Sequence, residues 1–592
     1  YNCLASNTTG TQNVAVGAFA LDANTTANNN TAIGYGALTA NTTGTRVVAV
    51  GMNALASNTT ANDNVAVGNN VLDANTTGTA NVGVGYFVLS GNTTASNNTG
   101  LGHKALSANT TATNNVAVGA NALDACTTSP SNTCVGNNAG GAITTGNGEN
   151  VCVGNNAGAG MTTGQQNIII GDNACGQGTL TSNLNTVIGD NAGLVLSTGA
   201  NNTFIGGAAG GANTTASNNT GLGHQALLSN TTGTSNTAIG AEALSTVTTQ
   251  NFNTAVGSAS LNANVAENGT AVGYFSLVSN TSGADNTAVG RSAMQGNTTG
   301  ANNTAIGAFA LDANTTADNN TSIGFASLSA NTTGASNTAV GKSSLGSNTT
   351  GDQNAAFGHN ALVLSTTADN NSAFGYHALF ANTTGNENTS VGANSLKTNT
   401  TGSYNNAQGH RALELNTTGS SNTAMGDFSL RQNTTASNNT ACGASVLTAN
   451  TTGAENTAVG ANALDANTTG GKNCAFGVGA LTDNTTGSGN VAVGENCLGD
   501  NTSASNNVAV GMDALRKSNG TENTAVGHEA LELLTNGANC TAIGKGALQN
   551  VTSGSTNTGL GRLAGNDITT GVNNTCVGAE SGRSNSPSGN LT

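Results

Sequence analysis

A glycine that closes an Ala-Val-Gly or Ala-Ile-Gly segment returns through almost the whole chain, at Gly17, Gly34, Gly51, Gly68 and Gly85 and on to Gly578. There are 34 such glycines, and 29 of the 33 intervals are 17 residues long. Two intervals are 18 (Gly136 to Gly154, Gly171 to Gly189) and two are 16 (Gly257 to Gly273, Gly511 to Gly527), so none has room for an inserted domain. A period this fixed demands a stack of equivalent units, each supported by its neighbours. It overrides the usual expectation that 592 residues divide into several globular domains, because a stack lengthens without enlarging its core.

Each repeat is numbered here from its glycine as position zero. The preceding segment, Val14-Ala15-Val16 or Thr31-Ala32-Ile33, is short and β-branched and predicts a strand of three or four residues. Strands of one phase stacked in parallel give an all-β parallel β-solenoid, or β-roll, of about 34 coils with a 17-residue repeat. Each closing glycine is expected to end its strand in a turn where a Cβ would not fit. The second half, Ala20-Leu21 before Asn24-Thr25-Thr26, predicts a second short strand and a corner. Asn columns at −4 and +7 are expected to form amide ladders, and coils about 4.8 Å apart make a rod roughly 160 Å long.

The repeats contain their own substitution series. Position +4 is Leu, or Met294 once, in 27 turns, and there −2 is always Ala, Gly or Ser. Seven turns have Gly or Cys175 at +4, and six of them carry a larger residue at −2: Cys134, Cys152, Ile169, Val187, Phe204 and Cys576. Volume lost at one phase is regained at the other, so −2 and +4 should share one compartment. Position −1 is apolar in all turns but that of Gln408. Next to −2 on a strand, it must face the other way. A second apolar surface implies a partner chain, with a homotrimer the leading arrangement and an end-to-end filament another. The alternative is a bend at −2 that turns both rows inward.

This pattern divides the chain into Leu-type repeats over 1–125, a variant Ala-Gly block over 126–212, Leu-type repeats over 213–552, and variant repeats over 553–592 ending in a flexible exit at Ser584–Gly589. Few functional classes fit the composition. Thirteen basic against 28 acidic residues leave no basic patch for nucleic acid, and no apolar run approaches a membrane span. The net charge of −15 suits a fibre kept apart from its copies. The chain begins at Tyr1, as expected of a processed or partial product.

Most of the ten Cys replace Ala, Val or Leu and are expected to pack as small core residues. Cys134 and Cys152 share a phase in adjacent turns, close enough for a disulfide. The His residues follow the glycine (His103, His224, His359, His410, His528, and His377 one place later), and only His359 and His377 are in adjacent turns. Asp recurs at +5 (Asp22, Asp73, Asp124, Asp312, Asp465) without a calcium-repeat spacing. With no nucleophile–base constellation and no phosphate loop, the sequence predicts a non-catalytic protein without cofactor or metal. Aromatics at +1 and +2, including Tyr35, Tyr86, Phe87, Tyr274 and Tyr376, suggest sugar stacking or packing between turns. The Asn-Thr-Thr corner matches an N-glycosylation acceptor at Asn24, Asn41, Asn58, Asn75, Asn92, Asn109, Asn314, Asn331, Asn348, Asn382, Asn399, Asn467 and Asn484. The same corner could equally be built of side-chain ladders.

The run from Asn30-Thr-Ala-Ile-Gly34-Tyr to Asn41-Thr-Thr-Gly44 resembles the repeat arrays of bacterial and phage tail-fibre-domain-containing proteins. Asn64-Val-Ala-Val-Gly68 is also similar to the head repeat of trimeric autotransporter adhesins, a parallel β-roll whose repeat is shorter. These resemblances imply a homotrimeric fibre outside the cell, at the cell surface or on a virion. The expected function is a structural or adhesive fibre. Two alternatives are a tail-fibre shaft binding cell-surface glycans and an ice-binding solenoid, the latter opposed by the consecutive placing of Thr25 and Thr26.

Overall fold

The computed structural model describes residues 2–583, and among these every regular element is a three-residue β-strand. The exit expected at Ser584–Gly589 lies outside the described residues. The chain forms two compact units, Tyr1–Thr299 and Gly300–Thr592. The first holds seventeen strands, β1 (Val14–Val16) to β17 (Thr287–Val289), and the second seventeen more, β18 (Thr304–Ile306) to β34 (Thr575–Val577). The variant block 126–212 lies wholly within the first.

Within each unit, every strand pairs in parallel with that of the next turn and keeps its phase: Val14 against Thr31 and Val16 against Ile33, or Thr304 against Thr321 and Ile306 against Ile323. Irregular intervals do not disturb this. Thr133 faces Val151 across an 18-residue turn and Thr254 faces Thr270 across a 16-residue one, so loops outside the strand absorb the difference. The protein is a parallel β-solenoid.

The glycine column is fixed by sterics. Gly17 has φ 127°, and a Cβ there would lie 2.6 Å from the carbonyl oxygen of Gly34 in the next turn. The same close approach recurs along both units, for instance 2.6 Å from Gly324 to Gly341.

The second strand expected around Ala20-Leu21 is absent. Instead +2 and +4 adopt positive φ in every turn, as at Phe19 (62°) and Leu21 (53°) or Asn53 (56°) and Leu55 (53°). This reverses the chain within four residues. Its backbone groups remain paired between turns: the Leu21 N–H donates to Ala37 C=O at 2.9 Å, and the Asn53 N–H to Tyr35 C=O at 2.9 Å. Left-handed backbone costs a non-glycine residue about 1–2 kcal/mol. Fully burying the leucine is worth about 1.5–3 kcal/mol and offsets it.

The core is thin. It contains Ala at −2 and +3, Leu at +4 and Asn at −4 and +7, all buried. Sharing of space between −2 and +4 is direct: a Cβ on Gly140 would meet Cys134 Sγ at 2.7 Å, and one on Gly210 would meet the Phe204 ring at 2.7 Å. A third phase joins the exchange, which the sequence reading missed. In the turns of Gly136, Gly154, Gly189 and Gly561, +7 changes from Asn to Ile143, Met161, Leu196 or Ile568, all buried. A Cβ on Gly140 would lie 3.0 Å from Ile143 Cδ1.

Candidate functional site: the outer sheet face and the Asn-Thr-Thr corner

Each strand turns its middle residue inward and its flanks outward. Ala32 is fully buried between half-buried Thr31 and exposed Ile33. Position −1 therefore faces solvent in both units, with Val16 56 % and Ile33 38 % exposed, and the arrangement with both rows inward is excluded. On the same face stand the residues at −3, Thr or Val in most turns, including an unbroken run of Thr from Thr186 to Thr287 in the first unit. No Lys, Arg, Asp, Glu or His occupies −3 or −1 in any turn. The face is an uncharged array, mostly of β-branched side chains, each pair held above the next by the backbone ladder. In the second unit Phe357 and Phe374 replace aliphatics at −1, with rings nearly parallel (7°) and 4.8 Å apart.

At the corner, the amides that match the glycosylation pattern point inward. Asn41 Nδ2 donates to Asn24 Oδ1 at 3.2 Å and to its own corner carbonyl at Gly44, 3.0 Å away. Asn58 repeats this on Asn41 (2.9 Å), Asn75 on Asn58 (3.1 Å), Asn92 on Asn75 (2.8 Å) and Asn109 on Asn92 (2.7 Å). Asn331 and Asn348, Asn399, and Asn467 and Asn484 do the same in the second unit. All thirteen, Asn314 and Asn382 included, have no exposed surface. The nitrogen a glycan would take is thus a core ladder donor, and the corner reading replaces the glycosylation reading. The first Thr of the corner adds a second rail: Thr42 Oγ1 donates to Thr59 C=O at 3.1 Å. The Thr that follows, such as Thr26 or Thr43, is exposed.

The −4 column is a ladder too. Asn30 Oδ1 accepts the Val47 N–H at 2.9 Å while Asn30 Nδ2 donates to Gly44 C=O at 2.8 Å. Where the +7 column stops, an amide is orphaned. Asn109, Asn230 and Asn348 each have an unpartnered Oδ1, because Cys126, Val247 or Ser365 stands above them in place of the donor.

Cys134 and Cys152 are in register, as their spacing implied, but both are free, buried thiols and the expected disulfide is not formed. Burial first, and then the neighbouring Cys152, push the Cys134 thiol well above its usual value. His359 and His377 have ring centroids 6.0 Å apart, and both pack on Tyr376. Burial, then Lys397 and His359, lowers the pKa of His377. No group of three or more metal-ligating side chains occurs among the described residues, and no helix is long and apolar enough to cross a membrane. The Asp residues at +5 are not gathered into a metal-ligating group among the described residues. Asp73, Asp312 and Asp465 each have an unpartnered Oδ1, and burial raises their pKa.

No protein-family model matches the chain, and no curated protein matches it. The fold defines its class, the parallel β-solenoids; the particular role has to be argued from its surfaces.

Proposed function

We propose that the chain is a non-catalytic structural fibre component, working outside the cell, on its surface or on a virion, which assembles through its outer sheet face. One observation carries this reading: apart from Asn406 and Gln408 the −3 and −1 columns are apolar or hydroxylic and outward-facing, and all 13 basic and 28 acidic residues lie elsewhere. Joining such faces removes apolar surface from water at about 25 cal/mol per Å². It desolvates no charge, and it keeps the net charge of −15 on the outside of the assembly. The resemblance to trimeric adhesin heads favours three copies.

Sedimentation velocity on the intact chain tests this. Wild type is expected to sediment as a homotrimer or larger filament, and a variant carrying Ile33→Lys, Ile239→Lys, Ile306→Lys and Ile323→Lys as a monomer. A wild-type monomer at about 100 μM, where interfaces of ordinary size are populated, ends the reading.

The same face supports a second reading, binding to ice. The objection from Thr25 and Thr26 concerned the corner; on the sheet the outward residues alternate, as Thr203 with Ile205 or Thr237 with Ile239, in ranks set by the strand register. Thermal hysteresis in dilute solution supports it, and freezing at the equilibrium melting point removes it.

A further inference from the structure

We propose that an open cleft on the first unit, spanning the turns of Gly85, Gly102 and Gly119, binds a neutral hexopyranose. The solenoid assembles it from residues far apart in the chain. Tyr86 and Phe87 lie at +1 and +2 of one turn, His103 and Lys104 at the same phases of the next, and Asp124 at +5 of the third. The cleft encloses about 690 Å³, within the range of small-molecule sites.

Its walls are fixed. The Tyr86 and His103 rings lie 5.6 Å apart and nearly parallel (11°), and Phe87 meets Tyr86 edge-on at 4.6 Å. Tyr86 remains 46 % exposed, so this braced aromatic wall is open to a ligand. The cleft serines are already committed as donors: Ser90 Oγ donates to Ser107 C=O and Ser107 Oγ to Asp124 C=O, both at 3.3 Å. Recognition falls to the Asp124 carboxylate, the Lys104 ammonium and the Tyr86 hydroxyl. Burial raises the pKa of Asp124, and hydrogen bonds from its own and the Ala125 backbone N–H, then the charge of Lys104, oppose that rise; further donors from a ligand would act in the same direction.

This chemistry selects a class. A cation would meet Lys104 and an anion Asp124, whereas a neutral polyol can donate to the carboxylate and accept from the ammonium. A pyranose also carries the apolar C–H patch that an aromatic wall accommodates. Two other grooves lack the combination. The one beside Leu194, Ala208 and Leu228 is mostly apolar, and the one beside Asp483, Asp500 and Arg516 has no aromatic ring.

The cleft uses +1, +2 and +5, not the sheet face, so sugar binding and self-association can fail independently. The test is saturation-transfer NMR on the intact chain with methyl glycosides of glucose, galactose, mannose and N-acetylglucosamine at about 10 mM, suited to millimolar affinity. Saturation transfer to at least one glycoside is expected, weakened about tenfold or more by Tyr86→Ala and by the near-isosteric Asp124→Asn. Tyr274→Ala, an exposed aromatic outside the cleft, should leave it unchanged. No transfer to any of the four, or transfer that survives either cleft substitution, overturns the proposal.

Discussion

Leucine at +4 sits in backbone that glycine favours, yet it is the commonest residue there, because its side chain fills the space that −2 leaves empty. Phe204 with Gly210 is the same compartment filled from the other side. Gly210→Leu should therefore overpack and cost about 1–3 kcal/mol in urea unfolding. Adding Phe204→Ala, which recreates a Leu-type turn, should recover most of that loss, a coupling that a double-mutant cycle measures directly. The Asp residues at +5 behave differently. Burial raises Asp73, Asp312 and Asp465 above the ordinary carboxylate value of 3.8, so in the folded chain their charged forms are disfavoured. The resulting instability is present at neutral pH and vanishes as pH falls through the folded pKa. Replacing all three with Asn should raise the melting temperature at pH 7, and the gain should shrink to nothing near pH 3, below the ordinary 3.8.

At the scale of one turn, the strand, its closing glycine and both Asn columns were legible in the sequence, since each depends on a residue type that few others replace. The second strand was not there to find. The sign against it was the lack of any Val, Ile or Thr at +2 or +4 in all 34 turns, as positive φ requires of β-branched side chains. The Asn-Thr-Thr corner stayed open between two readings, because an acceptor motif and a ladder rung use the same residues. A rung has a measurable worth. Asn41→Ala removes three buried hydrogen bonds and leaves Asn24 Oδ1 without a donor, and should cost about 1–3 kcal/mol. Ser365→Asn should do the reverse: Asn348 Oδ1 and Ser365 Oγ are both unpartnered, and a new amide between Asn348 and Asn382 closes the column, gaining about 1 kcal/mol. Thermal unfolding of the two variants should shift in opposite directions.

Across the molecule, repetition made the architecture predictable and kept the function obscure. A fixed 17-residue period specifies a solenoid, but columns of identical residues contain no singular site to recognise. Tyr86 and Phe87 stood out in the sequence as candidates for sugar stacking, but the cleft they help to form did not, because its members are 38 residues apart, Tyr86 to Asp124. The outward −1 column followed from strand alternation, and the account rests on it. The native cysteines test it without mutation: Cys442 at −1 and Cys474 at −3 lie on the outer face, whereas Cys134 and Cys152 at −2 lie inside. The measurement is maleimide labelling of native chain, with the modified sites identified by mass spectrometry. In dilute, dissociated chain Cys442 and Cys474 should be modified while Cys134 and Cys152 stay protected until denaturant is added, and assembly should protect all four. Labelling of Cys134 and Cys152 as fast as Cys442 in the native chain would contradict the account.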